Sequence, residues 1–187
     1  MSTTRPLRAD ARRNRARILE TARAAFAAEG IGVSLDEIAR RAGVGPGTVH
    51  RHFPTKEELF EAAIEEHLEQ LTSKAHSALQ ADDAGSAFFT FLLQMISDAN
   101  AKQDLADALA GAGINLADAT LQAAADLREV FAELLARAQR ADAVRADVDA
   151  ADVHAIVLAA LTAQRQRADL AKPGRLATLV LDCLRPG

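Results

Sequence analysis

The chain has 187 residues, 49% of them hydrophobic and 26% charged, with a formal net charge of -4. That balance excludes a wholly disordered chain, and the lack of Trp and Tyr points to an interior built from Ala, Leu and other aliphatic residues. The single cysteine, Cys183, excludes an intramolecular disulfide and a multi-cysteine metal site, which fits a reducing, cytoplasmic setting.

The charge is unevenly divided. Residues 1–56 carry eleven Lys and Arg against five acids, whereas the remainder carries eleven against twenty-one. A basic head that meets a polyanion, on an acidic body that does not, is one reading; a solvated charge run is the other. No apolar h-region follows the basic N-terminus. The longest oily run, Ala87 to Ile96, is about ten residues and holds Thr90 and Gln94, so neither a signal peptide nor a membrane span is expected.

From Arg12 to Glu29 the apolar positions Ile18, Leu19, Ala22, Ala25 and Phe26 recur at helix spacing, and Gly30 supplies a stop. The stretch "VSLDEIARRAG" then reads as a short second helix. Ser34 is its N-cap, Glu37 the reciprocal partner of a capping box and Val33 a staple onto Ile38, with Leu35, Ile38, Ala39 and Ala42 facing inward. A turn through Gly43, Val44 and Gly45 leads to a third helix with Pro46 at its first position, where a missing N–H costs nothing. Two short helices joined by such a turn make a helix-turn-helix, here about residues 34–53. Phe53-Pro54 closes it.

Thr55 caps a fourth, long helix, and Glu58 completes a second capping box. Leu59, Phe60, Ala63, Ile64, His67, Leu68 and Leu71 form its stripe. After "DDAGS", Phe88, Phe89, Phe91, Leu92, Met95 and Ile96 mark a fifth helix, Gln103 to Ala110 a short sixth, and Leu121, Leu127, Phe131, Leu134, Leu135 and Ala138 a seventh. Asp149 caps an eighth with Val153, Ile156, Val157, Ala160 and Leu161 inward. Past Lys172-Pro173-Gly174, a ninth holds Leu176, Leu179, Val180, Cys183 and Leu184. With no alternating strand pattern, the fold class is all-α, about nine helices.

Ile18 to Ile64 resembles the DNA-binding domain of TetR-family transcriptional regulators. The resemblance lies in Phe26, Gly30, Ile38-Ala39, Ala42-Gly43-Val44, Gly47-Thr48, His52-Phe53 and Lys56-Glu57 at the family's spacing. It implies a DNA-binding domain over 11–58 and a helical ligand-binding and dimerisation domain over 59–187; residues 1–10 ahead of them read either as a flexible basic tail or as arginines that track phosphates or the minor groove. It further implies a homodimer joined through its last two helices, a double-stranded palindromic operator and a small-molecule effector of unknown identity.

The chemistry of the head fits that expectation. Gly45, Pro46 and Gly47 thin the leading end of the third helix, so its backbone can approach DNA closely. The helix N-termini at Ser34 and Gly45 present N–H groups to phosphate. Base reading then falls to Thr48 and Arg51, while Val49 turns inward with Phe53 onto Phe26 and Ile38. Lys56 is placed by the resemblance as a further phosphate contact. His50 departs from the tyrosine common in the family; it too is expected on a phosphate, more strongly when protonated.

Phe88, Phe89, Phe91, Leu92 and Met95 cover more of one helix's circumference than a single seam needs. With Phe131 and Leu135 they are candidates to line a mainly apolar effector pocket, core packing being the alternative for each. His67, His76 and His154 lack ligand-like spacing, and no nucleophile elbow, phosphate loop or dinucleotide fingerprint occurs. No catalytic residue, metal site or cofactor is expected. The competing readings are an effector-independent architectural DNA binder and a helical enzyme or ligand carrier.

Overall fold

The computed structural model describes residues 4–96, 117–166 and 175–186, and among them it is helical with no strand. The described residues form eight helices: α1 (Thr4–Glu29), α2 (Leu35–Ala42), α3 (Pro46–His52), α4 (Lys56–Leu79), α5 (84–96), α6 (Asp118–Arg140), α7 (Ala150–Gln166) and α8 (Arg175–Cys183). The helix expected over Gln103 to Ala110 lies outside the described residues. The chain divides into two compact units, one holding the residues up to His67 with 117–121, the other Leu68 to 96 and the residues from Gln122 onward.

Local chemistry sets the helix ends of the first unit. Gly30 takes φ 71°, and its N–H reaches Phe26 O at 2.9 Å, which ends α1. Ser34 Oγ accepts from the Glu37 N–H at 3.1 Å and starts α2. At its far end Gly43 sits at φ 64°, where its own N–H bonds Arg40 O and the Val44 N–H bonds Ala39 O. That pairing satisfies carbonyls the helix would otherwise leave open, and it needs a residue tolerant of the left-handed region. Phe53 is extended before Pro54 and returns its N–H to Val49 O at 2.8 Å. Thr55 Oγ1 accepts from the Glu58 N–H at 3.2 Å at the head of α4.

The core of this unit joins Ile18, Leu19, Ala22 and Phe26 of α1 to Ile38 and Ala39 of α2, Val49 of α3, Phe53, and Leu59, Phe60 and Ala63 of α4. Phe26 and Phe60 meet edge to face with centroids 5.2 Å apart. The second unit is built on Leu71 and Ala75 of α4, Phe88, Phe91 and Leu92 of α5, Phe131, Leu134 and Leu135 of α6, Val153 and Val157 of α7, and Val180 and Leu184. Asp149 caps α7 by accepting from the Ala151 and Asp152 N–H groups, and Asp152 returns the bond to the Asp149 N–H. It is a reciprocal box of acidic residues at the positive end of the helix.

Three features differ from the sequence reading. α1 begins at Thr4, within the segment expected as a flexible tail. Pro6 is tolerated in a first turn, and no glycine interrupts the residues behind it, where pairs of Arg13 with Asp10 and Arg23 with Glu20 support the helix. Glu37 accepts from Arg40 and Arg41, so the Ser34 box is made from the serine side. Leu121 and Leu179, two of the apolar residues that mark their helices in the sequence, are each 51% exposed. At about 100° per residue, Leu121 stands some 120° from Leu127, and Leu179 about 100° from Val180.

Candidate nucleic-acid interface

α3 divides as its register requires. Val49 is fully buried and Thr48 half-buried, while Gly45, Pro46, Gly47, His50 and Arg51 lie exposed. The two expected base readers are brought together: Arg51 Nη2 donates to Thr48 Oγ1 at 3.3 Å, one helical turn away. Neither glycine ahead of them is required by the protein itself. A Cβ added at Gly47 would meet nothing within 4 Å, and one at Gly45 only Thr48 Oγ1 at 4.0 Å; the left-handed φ values belong to Gly30 and Gly43 instead.

Around this surface the charges are partly spoken for. Ser34, exposed, spends its hydroxyl oxygen on the α2 cap. Lys56 Nζ donates to the Ile31 carbonyl at 3.0 Å, tying the start of α4 to the loop after α1. Arg41 bridges Glu29 at the end of α1 to Glu37 on α2, and Arg40 binds Glu37 with two nitrogens. The bonds from Arg40 and Arg41 hold the Glu37 carboxyl down to about 2, and the bond from Arg41 lowers Glu29. Arg15 lies over the Phe53 ring, 5.6 Å from its centroid, and faces Glu66. His50 Nε2 is 3.0 Å from Asp36 Oδ1. Asp36 was missed in sequence because that contact joins residues 14 apart on two helices.

Comparison with known proteins places both units. Residues 18–63 match the model for bacterial regulatory proteins of the tetR family, and residues 83–186 match the C-terminal domain model of SbtR-like transcriptional regulators. A crystal structure of a TetR transcription regulatory protein from Mycobacterium vanbaalenii is similar over 97% of this chain and 100% of its own, at 46% identity and a TM-score of 0.78. This chain belongs to the TetR family. A TetR transcriptional regulator from Streptomyces coelicolor is similar over 92% of this chain and 98% of its own, at 32% identity and a TM-score of 0.78. A curated relative, an HTH-type transcriptional regulator from Staphylococcus aureus, is 37% identical over 79 residues; the match spans 38% of this chain and 43% of that relative's length.

The second unit of this TetR-family chain packs most of the expected pocket residues as core. Phe88, Phe91, Leu92, Phe131 and Leu135 are buried, and Phe89 and Met95 lie half-buried against them. Phe131 sits 5.9 Å from Phe88 and 6.3 Å from Phe91, centroid to centroid. Open grooves flank α5. One, of about 600 Å³, is lined by Phe89, Leu93, Asp83, Asp142 and Arg185 among others, with Arg185 lying over the Phe89 ring at 4.7 Å. The other, of about 460 Å³, is lined by Phe91, Ala78, Ala87, Lys74 and Gln94 among others. Gly85 permits the close approach behind the first groove, since a Cβ there would come within 2.6 Å of Ala143 Cβ. Among the described residues no His, Cys, Asp and Glu cluster could hold a metal ion, and no helix is long and apolar enough to cross a membrane.

Proposed function

We propose that the chain is a dimeric, ligand-responsive repressor that grips a palindromic operator with two helix-turn-helix heads set about one DNA turn, roughly 34–36 Å, apart. The observation that carries this reading is the outward face of α3. Its leading glycines answer to no packing or backbone demand inside the protein, and directly behind them Thr48 and Arg51 stand together on the solvent side. A backbone thinned without internal reason fits a close approach from outside, and a guanidinium one turn on fits bidentate reading of a guanine edge.

Dimerisation through the last two helices is supported by Leu158 on α7 and Leu179 on α8, 37% and 51% exposed, on helices that pack against each other. A small, mainly apolar effector would sit against α5. The aromatic cluster of Phe88, Phe91 and Phe131 with Leu92 and Leu135 then forms the wall, and Phe89 and Met95 the accessible part. α4 is the candidate link, because one continuous helix supplies Leu59 and Phe60 to the first core and Leu71 and Ala75 to the second. An effector acts through it only by binding one dimer shape better than the other.

The test is selection of duplexes from a random pool by the full chain at stated salt, followed by Arg51→Ala. The variant loses about 1–3 kcal/mol of discrimination between selected and random DNA for each base contact removed. Equal loss on both DNAs would show that Arg51 meets phosphate and reads no base.

A further inference from the structure

α2 and α3 pack against each other, and on their solvent side His50 Nε2 lies 3.0 Å from Asp36 Oδ1, the ring half exposed and the carboxylate 70% exposed. The neighbouring charges have other partners. On α2, Glu37 is bound by Arg40 and Arg41; on α1, Glu29 is bound by Arg41 and Arg15 faces Glu66; on α3, Arg51 bonds Thr48; on α4, Lys56 bonds the Ile31 carbonyl. Asp36 is therefore the charged group that the described contacts bring to the His50 ring.

An ionised carboxylate only accepts, so Nε2 must carry the hydrogen of this bond. A neutral imidazole so held has a bare Nδ1, which has no hydrogen to offer a phosphate oxygen. The imidazolium, with a second N–H at Nδ1, bonds a carboxylate and a phosphate at the same time. We propose that Asp36 is a positioning residue for DNA binding: it holds His50 by Nε2, so that His50 reaches a DNA phosphate through Nδ1 and takes one proton from solvent per head as it does. The proposal rests on the reading of α3 as a recognition helix and adds a proton to its binding equilibrium. The sign follows directly. Complex formation takes up the proton, so affinity is highest in acid and falls as pH rises, by up to about tenfold per pH unit for each head.

The experiment is anisotropy of a fluorescein-labelled 30-base-pair duplex, recovered from a random pool by the full chain, at fixed ionic strength between about pH 6 and 8. The wild-type affinity falls with pH, and His50→Gln removes that fall. Asp36→Ala frees Nε2–H to meet phosphate without a proton, so it flattens the profile and binds more tightly than wild type at pH 8, and Asp36→Glu restores the slope. An Asp36→Ala profile as steep as wild type overturns the proposal. Independently of any variant, nitrogen-15 spectra of the free chain show His50 with its neutral-form proton on Nε2; a proton on Nδ1 overturns it as well. A wild-type chain that enriches no duplex at any pH fails the recognition-helix reading itself, whereas sequence-selective binding that is flat in pH fails the proton-linked contact alone.

Discussion

Gly47→Ala separates what the head needs to fold from what it needs to meet DNA. Gly47 is the second residue of α3, outside the left-handed region, and a Cβ there meets no atom within 4 Å. Alanine removes conformational freedom from the unfolded chain without adding strain to the folded one, a gain of about 0.4–1 kcal/mol. For a chain of this length that raises the melting temperature by about 1–4 °C. The effect on DNA has the opposite sign. A methyl group inserted into a close backbone contact acts as overpacking and costs about 1–3 kcal/mol, which is roughly 5- to 150-fold in affinity. Calorimetry of the free chain and anisotropy with a selected duplex give the two numbers on one preparation. Gly43→Ala is the control. Its φ of 64° makes alanine strained, so stability falls by about 1–2 kcal/mol, and DNA affinity follows only through the loss of fold. A Gly47→Ala chain that melts higher and binds as well as wild type would refute the claim that these glycines exist for the approach to DNA.

The ion network behind α2 predicts an acid response. Glu37 is held to about 2 against an ordinary 4.5, and Glu29 is lowered too. Depressed folded values mean that the stabilisation is full above the unfolded value and is lost as pH falls from about 4.5 toward 2. Arg41→Ala relaxes both carboxylates, so urea midpoints across that window fall less steeply than in wild type; parallel lines would show that the network contributes nothing. At the other end of the chain, Leu158→Asp combined with Leu179→Asp places charge on the apolar face of α7 and α8 and gives a monomer by sedimentation. A dimer that persists would move the interface elsewhere.

The head was legible in sequence because its determinants are local. Ser34 with Glu37, Gly43 after Ala42, Pro46 after Gly45 and Phe53 before Pro54 each act within four residues, and each helix end falls where they set it. The second unit was legible as helices but not as a site. Periodicity shows that Phe88, Phe91 and Phe131 are inward; whether inward means core or cavity depends on how closely the elements around α5 approach it, and Gly85 of α5 against Ala143, in the turn after α6, is such an approach. Leu121 and Leu179 mark their helices in sequence without lying on the buried face, because the helix presents a narrower apolar stripe than its leucines span. The Lys56 bond to Ile31 and the Asp36 bond to His50 join residues 25 and 14 positions apart, and no spacing rule reaches so far.

Charge shows the same division most sharply. Eleven basic residues in the first 56 suggest a broad electrostatic grip on DNA, yet the fold has already used several of them. Arg13, Arg23, Arg40 and Arg41 are bound to carboxylates within the head, Arg15 faces Glu66, and Lys56 is on a carbonyl. Arg17 and Arg51 bond neutral oxygens, of Asn14 and Thr48, so their charge is uncompensated by any carboxylate in those bonds. Each phosphate neutralised contributes about 0.9 to the logarithmic salt slope. Charges already paired inside the head release fewer counterions when DNA arrives, so the grip is weaker than the count implies. On the reading proposed above, the burden moves to close backbone approach at Gly45 and Gly47 and to outward-facing side chains such as Arg51 and the His50 held by Asp36.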